Sequence, residues 1–143
     1  MDLMKSIAVA ASGLRAQAGR MQVISQNIAN ADSTATQPGG DPYRRKIVTF
    51  QSEMDRALGA RLVALGARLV ALGTVRPDAS DFQVKSEPGH PAADANGNVK
   101  YPNVNPLIEM ADFRDAQRSY SANVNVINAT RAMIARTLDI LKS

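Results

Sequence analysis

Cysteine and tryptophan are absent from this 143-residue chain, and histidine occurs once. Without cysteine there can be no disulfide, thiolate metal ligand or thiol nucleophile, so the chain suits any redox compartment. Aromatic residues are only 4% of the sequence, although 45% is apolar. Packing must therefore rest on Leu, Ile, Val, Met and Ala, which suits helix against helix better than a compact catalytic pocket. The single histidine, His90, lies in the turn "EPGHPAAD" with Glu87 and Asp94 near by. A lone imidazole in a Pro/Gly turn reads as a structural or solvated group and only weakly as a general base. The sequence contains no G-x-S-x-G, Walker loop, G-x-G-x-x-G or His/Asp/Glu metal cluster. No catalytic residue, metal ligand or cofactor is implied, and the chain is expected not to be an enzyme.

Long apolar runs are missing too. No segment offers the ~20 uncharged apolar residues of a membrane span. The start, "MDLMKSIAVAASG", has Lys5 and small residues, but Ile7 to Ala11 is too short for a signal-peptide core and Asp2 is out of place. An uncleaved N-terminus is expected. The 17 basic and 13 acidic residues give a net charge of +4, evenly interspersed. The one tight basic cluster, Arg44-Arg45-Lys46, lacks the stacking aromatics of a nucleic-acid face and reads as a solvated strand end. Neither a nucleic acid nor a small-molecule substrate is expected as a partner.

What is present is a pair of long heptad patterns. Leu3, Ile7, Ala10, Leu14, Met21, Ile24, Ile28 and Ala31 step by fours and threes, with Gln17 in the remaining slot. Gly13 and Gly19 interrupt this helix at about 1 kcal/mol each but allow close helix approach. Met110, Phe113, Tyr120, Val124, Ile127, Ile134, Leu138 and Leu141 repeat the pattern, with Gln117 and Arg131 filling in. No Pro or Gly falls between Pro106 and Ser143. The bland reading is a helix pair capping a small globule; the length of the helices favours a terminal antiparallel coiled coil whose outer faces meet other subunits. Asn27 and Asn30 flank the first seam, and Asn123, Asn125 and Asn128 flank the second. Because Asn is a poor helix former, these amides are expected to fix register between helices or copies.

The middle differs. "DSTATQPGGDP" is turn chemistry, while "YRRKIVTF", "DFQVKSEP" and Val99 to Tyr101 have strand character. A perfect repeat, "GARLVAL", occupies residues 59–65 and 66–72. Its leucines step by four and three, so Gln51 to Leu72 leans towards one amphipathic helix, a surface bulge being the alternative. The expected fold is mostly α with a small β insert (α+β). Residues 1–31 and 107–143 would form a coiled-coil domain, and residues 32–106 a β-containing domain carrying the tandem heptad at 59–72.

The block "SGLRAQAGRMQVISQNIANADST" resembles the N-terminal signature of the flagellar rod and hook proteins, in which a helix ends at N-[LIVM]-[SAN]-N, here Asn27-Ile28-Ala29-Asn30. "GGDPYRRKIVTF" and the run from Glu87 to Leu141, with "NGNVKYPNVN" and "AQRSY", resemble the proximal-rod members of that family. The resemblance implies a structural subunit that polymerises through its terminal helices into a hollow rod crossing the periplasm, transmitting torque and lining the export channel. Implied partners are further copies, the other proximal-rod subunits, the rod-to-ring junction protein and the flagellar type III export apparatus. Helix and subunit packing would fall to the seam residues above with Asn27, Asn30 and Asn123. The resemblance also makes the terminal coiled coil the inner domain and residues 32–106 the outer one, with Asp32, Asp41, Pro42, Tyr43 and Arg44 as the joint between them. The sequence departs from the family pattern at Ser121, where Glu is usual, at Phe113, where Met is usual, and in the extra heptad Gly66 to Leu72. A soluble coiled-coil adaptor or export chaperone is the alternative, against which stands the β segment.

Overall fold

The structure is a computed structural model describing residues 3–53 and 68–142. Among the described residues two helices bracket four strands: α1 (Leu3–Ala29), β1 (Lys46–Glu53), β2 (Leu69–Pro77), β3 (Gln83–Ser86), β4 (Asn98–Tyr101) and α2 (Pro106–Lys142). β1 pairs with β2, and β3 with β4. The second pair is antiparallel, with Gln83 opposite Tyr101 and Ser86 opposite Asn98. Mostly helical content with a small β insert is thus the observed class.

The helix ends follow from local chemistry. α2 begins with Asn105 as N-cap, its Oδ1 accepting from the Leu107 N–H at 3.1 Å, and with Pro106 in the first helical position, where no N–H is needed. α1 stops where Asn30 Nδ2 donates to the Gln26 carbonyl at 2.8 Å and Ser33 Oγ donates to the Asn30 carbonyl at 2.9 Å. These side chains add a second bond to carbonyls that already accept the Asn30 and Ser33 N–H groups, each at 3.2 Å.

The chain forms two compact units. The first comprises Met1–Met21, Thr49–Gly73 and Asp115–Ser143; the second comprises Gln22–Val48 and Thr74–Arg114. In the first, α1 approaches its neighbours through small residues. A Cβ on Gly13 would lie 2.8 Å from Asn123 Nδ2, and one on Gly19 would lie 2.8 Å from Leu72 Cδ2. Ser12, 1% exposed, donates to the Val9 carbonyl and accepts the Val70 N–H at 3.2 Å, which ties α1 to β2. The second unit packs Val99, Val104, Ala92, Val23 and Ile24. Its tight turn before β4 uses Gly97 at φ +77°, where a side chain would be strained.

Two expectations change. The helix over Gln51 to Leu72 is replaced at both ends by strand: Gln51–Glu53 belong to β1 and Leu69–Leu72 to β2. The reason is composition: Val70, Thr74 and Val75 favour extended backbone, and Gly73 weakens a helix. The first copy of the repeat, residues 59–65, lies outside the described residues. Alternate positions of the α2 stripe also move by one residue: Met110 is 51% exposed while Glu109 and Ala116 are 1% and 0%, whereas Phe113, Tyr120, Ile127 and Ile134 keep the expected places. The α2 stripe therefore runs Glu109, Phe113, Ala116, Tyr120, Asn123, Ile127, Thr130, with Gln117 and Arg131 outside. Small and polar residues occupy seam positions that hydropathy would give to solvent.

Gly73 supplies a test of the β1–β2 pair. A Cβ there would lie 2.7 Å from Thr49 Oγ1 and 2.8 Å from the Thr49 carbonyl oxygen, and main chain cannot swing aside. Gly73→Ala is expected to destabilise by about 1–3 kcal/mol. Gly89, with nothing within 4 Å of its would-be Cβ, is the control: Gly89→Ala should be neutral or slightly stabilising. Urea melts of both variants read the difference.

Candidate functional site

The second unit contains a polar cluster at the end of α1, the arm before β1 (residues 30–45) and the first turn of α2. Asn27 is 1% exposed and uses its amide fully. Its Oδ1 accepts from the Tyr43 hydroxyl at 2.8 Å and from the Lys46 N–H at 2.9 Å. Its Nδ2 donates to the Lys46 carbonyl at 2.8 Å and to Glu109 Oε2 at 3.0 Å. One side chain thereby bonds both backbone groups of Lys46, the first residue of β1, as a neighbouring strand would. An amide is the group that does this, having a donor and an acceptor side by side.

Glu109 is likewise 1% exposed. Arg45 answers it, with Nε at 2.7 Å and Nη2 at 2.6 Å from Oε1. Arg45 also reaches Asp78 Oδ2 at 3.4 Å, and its main chain is held by Asn103 Oδ1 on the N–H and by the Asp78 N–H on the carbonyl. Burial works against the charged guanidinium, but the bonds to Glu109 and Asp78 outweigh it and raise the Arg45 pKa. Burial, followed by the charge of Glu109, pushes the Tyr43 hydroxyl up, which keeps it a donor to Asn27. The Ser80 N–H, bound at 2.9 Å, leads the groups that lower Asp78. The cavity beside these groups, lined by Arg45, Asp78, Asn103, Asn105, Ile108 and Glu109, measures about 120 Å³. That is well below the ~300–1,000 Å³ of an ordinary ligand pocket, and the charges lining it are already turned on one another.

The other residues singled out in the sequence fall as follows. Leu3, Ile7, Leu14, Met21 and Ile28 are half-buried on α1, and Ile24 is buried. Asn30, just past α1, spends its amide on the Gln26 carbonyl of its own helix. On α2, Phe113, Tyr120, Asn123, Val124, Ile127 and Ile134 are half-buried, while Leu138 and Leu141 are 51% and 76% exposed. Asn123 rests against Gly13. In the arm, Asp32 is exposed, Pro42 is half-buried, and exposed Asp41 accepts from Lys100 Nζ at 2.7 Å, which lowers its pKa. Arg44 stacks 4.1 Å over the Phe82 ring and donates to the Asp78 and Ser80 carbonyls. His90 Nδ1 accepts the Ala92 N–H at 3.1 Å, closing its turn. Among the described residues no group of three His, Cys, Asp or Glu could hold a metal ion. Sequence reasoning missed Arg45, Lys46, Asp78, Asn103 and Glu109; the one available signal was the Arg-Arg-Lys cluster three residues after Asp41.

Asn27→Asp sets a carboxylate against Glu109 and removes both donated bonds. It is expected to cost about 3 kcal/mol at neutral pH, the scale of an uncompensated buried charge. The new carboxyl would have a raised pKa, so the variant loses stability as pH rises and regains part on acidification. The native cluster has the opposite sign. Asp78 is depressed below its ordinary value of about 3.9, so its contribution is present above that pH and is lost as pH falls through the folded-state value. Asp78→Asn should flatten that acid limb. Urea melts between pH 2 and pH 7, followed by tyrosine fluorescence, separate the three proteins.

The two sides of the Asn27–Glu109 bond fall in two recognised regions. Residues 7–35 match the family model described as flagella basal body rod protein, and residues 95–140 match that of the flagellar basal body rod FlgEFG protein C-terminal. The flagellar basal-body rod protein FlgC of Agrobacterium fabrum is 53% identical over 135 residues, covering 94% of this chain and 92% of the relative. FlgC of Bacillus subtilis is 41% identical over 150 residues, covering 99% and 100%. FlgC of Salmonella typhimurium is 42% identical over 142 residues, covering 98% of each. With this similarity running through α1, the arm and α2, the chain belongs to the FlgC family of flagellar basal-body rod proteins.

Proposed function

We propose that the chain is a structural subunit of the flagellar basal-body rod, without enzymatic activity, which polymerises through its terminal helices into a hollow rod. The rod crosses the periplasm, transmits torque and surrounds the export channel; subunits reach it through the type III export apparatus with their N-terminus uncleaved. Neighbours are further copies, the other proximal-rod subunits and the rod-to-ring junction protein. Similarity to FlgC proteins over nearly the whole chain carries this reading.

The terminal helices form an antiparallel coiled coil in this proposal, with residues 1–31 and 107–143 as the inner domain and residues 32–106 outside. Contacts of the first unit support the direction. Gly13 faces Asn123, whereas Lys5, Ser6, Val9 and Ala10 share a groove with Asn123 and Val126. As residue numbers fall along α1 they rise along α2. The exposed leucines at the end of α2 suit a subunit whose seam is completed by neighbours.

Deleting the gene in a motile strain tests the function. Immotile cells whose basal bodies lack the proximal rod are the expected result, with motility restored by the intact gene. Complete proximal rods purified from the deletion strain would refute the reading.

A further inference from the structure

Position 97 is closed to any side chain. It ends the turn over residues 94–97 that leads into β4, where the Gly97 N–H donates to the Asp94 carbonyl at 3.0 Å. Its φ of +77° favours glycine, and a Cβ there would lie 3.0–3.3 Å from three atoms of Pro88. The fold therefore sets a glycine directly after Asn96. Of the nine asparagines in the chain, the other eight precede Ile, Ala, Val or Pro. Asn96 is also exposed, and its bond runs from the main-chain N–H to Asp94 Oδ1 at 2.8 Å, leaving the side-chain amide in water.

An asparagine followed by glycine carries an electrophile and a nucleophile side by side. Once the Gly97 amide proton is lost, the nitrogen can attack Asn96 Cγ with no side chain in the way. A Cγ–N bond forms, the Cγ–Nδ2 bond breaks, and ammonia leaves with the proton, closing a succinimide ring. Water then opens the ring at one of its two carbonyls, giving aspartate or isoaspartate. The folded turn holds this back. The Gly97 N–H is spent on the Asp94 carbonyl, so its proton is protected as in hydrogen exchange. The Asp94 carboxylate, anchored by the Asn96 and Asn98 N–H groups, opposes negative charge on the nitrogen near by.

We infer that Asn96 is a site of spontaneous covalent modification, converting to aspartate and isoaspartate through a succinimide with Gly97, which the folded turn restrains and the open chain permits. Isoaspartate puts Cβ into the main chain. That lengthens the turn which must return the Gly97 carbonyl to the Glu87 N–H at 2.8 Å and the Asn98 carbonyl to the Asp94 N–H at 2.9 Å. Aspartate leaves the main chain unchanged. A chain that stays open before folding therefore ages at this turn, while one that has folded is spared.

To test this, two portions of the purified full chain are kept at pH 8, one in buffer and one in guanidinium chloride, and sampled over days. Trypsin cutting after Lys85 and Lys100 releases residues 86–100, which carry both Asn96 and Asn98. Fragment masses locate each change from amide to acid, and isoaspartyl methyltransferase with S-adenosylmethionine labels isoaspartate. In denaturant the thermolabile Asn96 is expected to convert roughly tenfold faster than Asn98, which precedes β-branched Val99, with label at residue 96. In buffer its conversion is expected to be several-fold slower. Equal rates at Asn96 and Asn98, a product without label, or conversion in buffer as fast as in denaturant would each overturn the inference. As a second measurement, ageing in denaturant followed by refolding should lower the urea midpoint of the native chain and leave that of Asn96→Asp unchanged. Equal shifts in the two proteins would overturn the effect on the turn.

Discussion

A carboxylate withdrawn from water must be answered where it sits, and Glu109 imposes that condition on the second unit. Removing an ionised carboxyl from water costs several kcal/mol even after relaxation, and an ion pair offsets this only with good geometry. Two short bonds from Arg45 and one from Asn27 meet the condition. Arg45 is in turn placed by Asn103 and Asp78, and Asn27 by Tyr43 and both backbone groups of Lys46. The carboxylate is satisfied only when the end of α1, the arm and the start of α2 are all in place. Such an arrangement adds little net stability over an apolar packing of equal volume; what it adds is a penalty on every alternative register.

The first unit secures α1 by different means. Gly13 and Gly19 bring other side chains to within contact of the helix backbone, and Ser12 offers one hydroxyl to β2. Ala10 and Ala16 are 4% and 2% exposed. Small residues permit close approach but discriminate poorly between registers, since one alanine accepts a neighbour much as another does. Steric closeness in one unit and polar exactness in the other are complementary ways of holding the same helix. A subunit repeated along a rod needs the polar kind somewhere, because a slip of one helical turn displaces contacts by about 5.4 Å.

This division explains what was legible in the sequence. The terminal helices were, because Leu3 to Ala29 and Pro106 to Lys142 combine heptad spacing with few breakers. Strands β3 and β4 were, because "DFQVKSEP" and Val99 to Tyr101 have local strand character; that they pair with one another was not read from it. The inward place of Glu109 was not: hydropathy assigns Glu109 to water and Met110 to the seam, and only Arg45 and Asn27, 64 and 82 residues away in sequence, reverse that. Gln51 to Leu72 misled at its two ends for another reason. A seven-residue duplication whose leucines lie three apart produces fours and threes by itself, so the periodicity is a property of the repeat and not independent evidence of helix. Arg45 looked like one member of a solvated cluster, yet Arg44, Arg45 and Lys46 have three separate tasks.

The asparagine motif shows the same separation of tasks at closer range. Asn27 and Asn30 have the same side chain three residues apart, only about 60° apart around the helix axis, and the helix end is what separates them. Asn27 lies inside α1, where all four of its hydrogen-bonding capacities are met, while Asn30 lies past Ala29 and is bonded back to Gln26. One amide ties the helix to the arm and to α2; the other stops the helix so that the arm can leave. Substituting either for the other is impossible without moving the helix end, because the tie must lie within the helix and the stop must follow it. The first turn of α2, with Glu109 inside and Met110 outside, depends on that ordering. With α1 ended after Asn27, the arm returns Arg45 to Glu109, the carboxylate is held inside, and Leu107, Ile108 and Met110 are left facing out as a consequence of bonds made elsewhere.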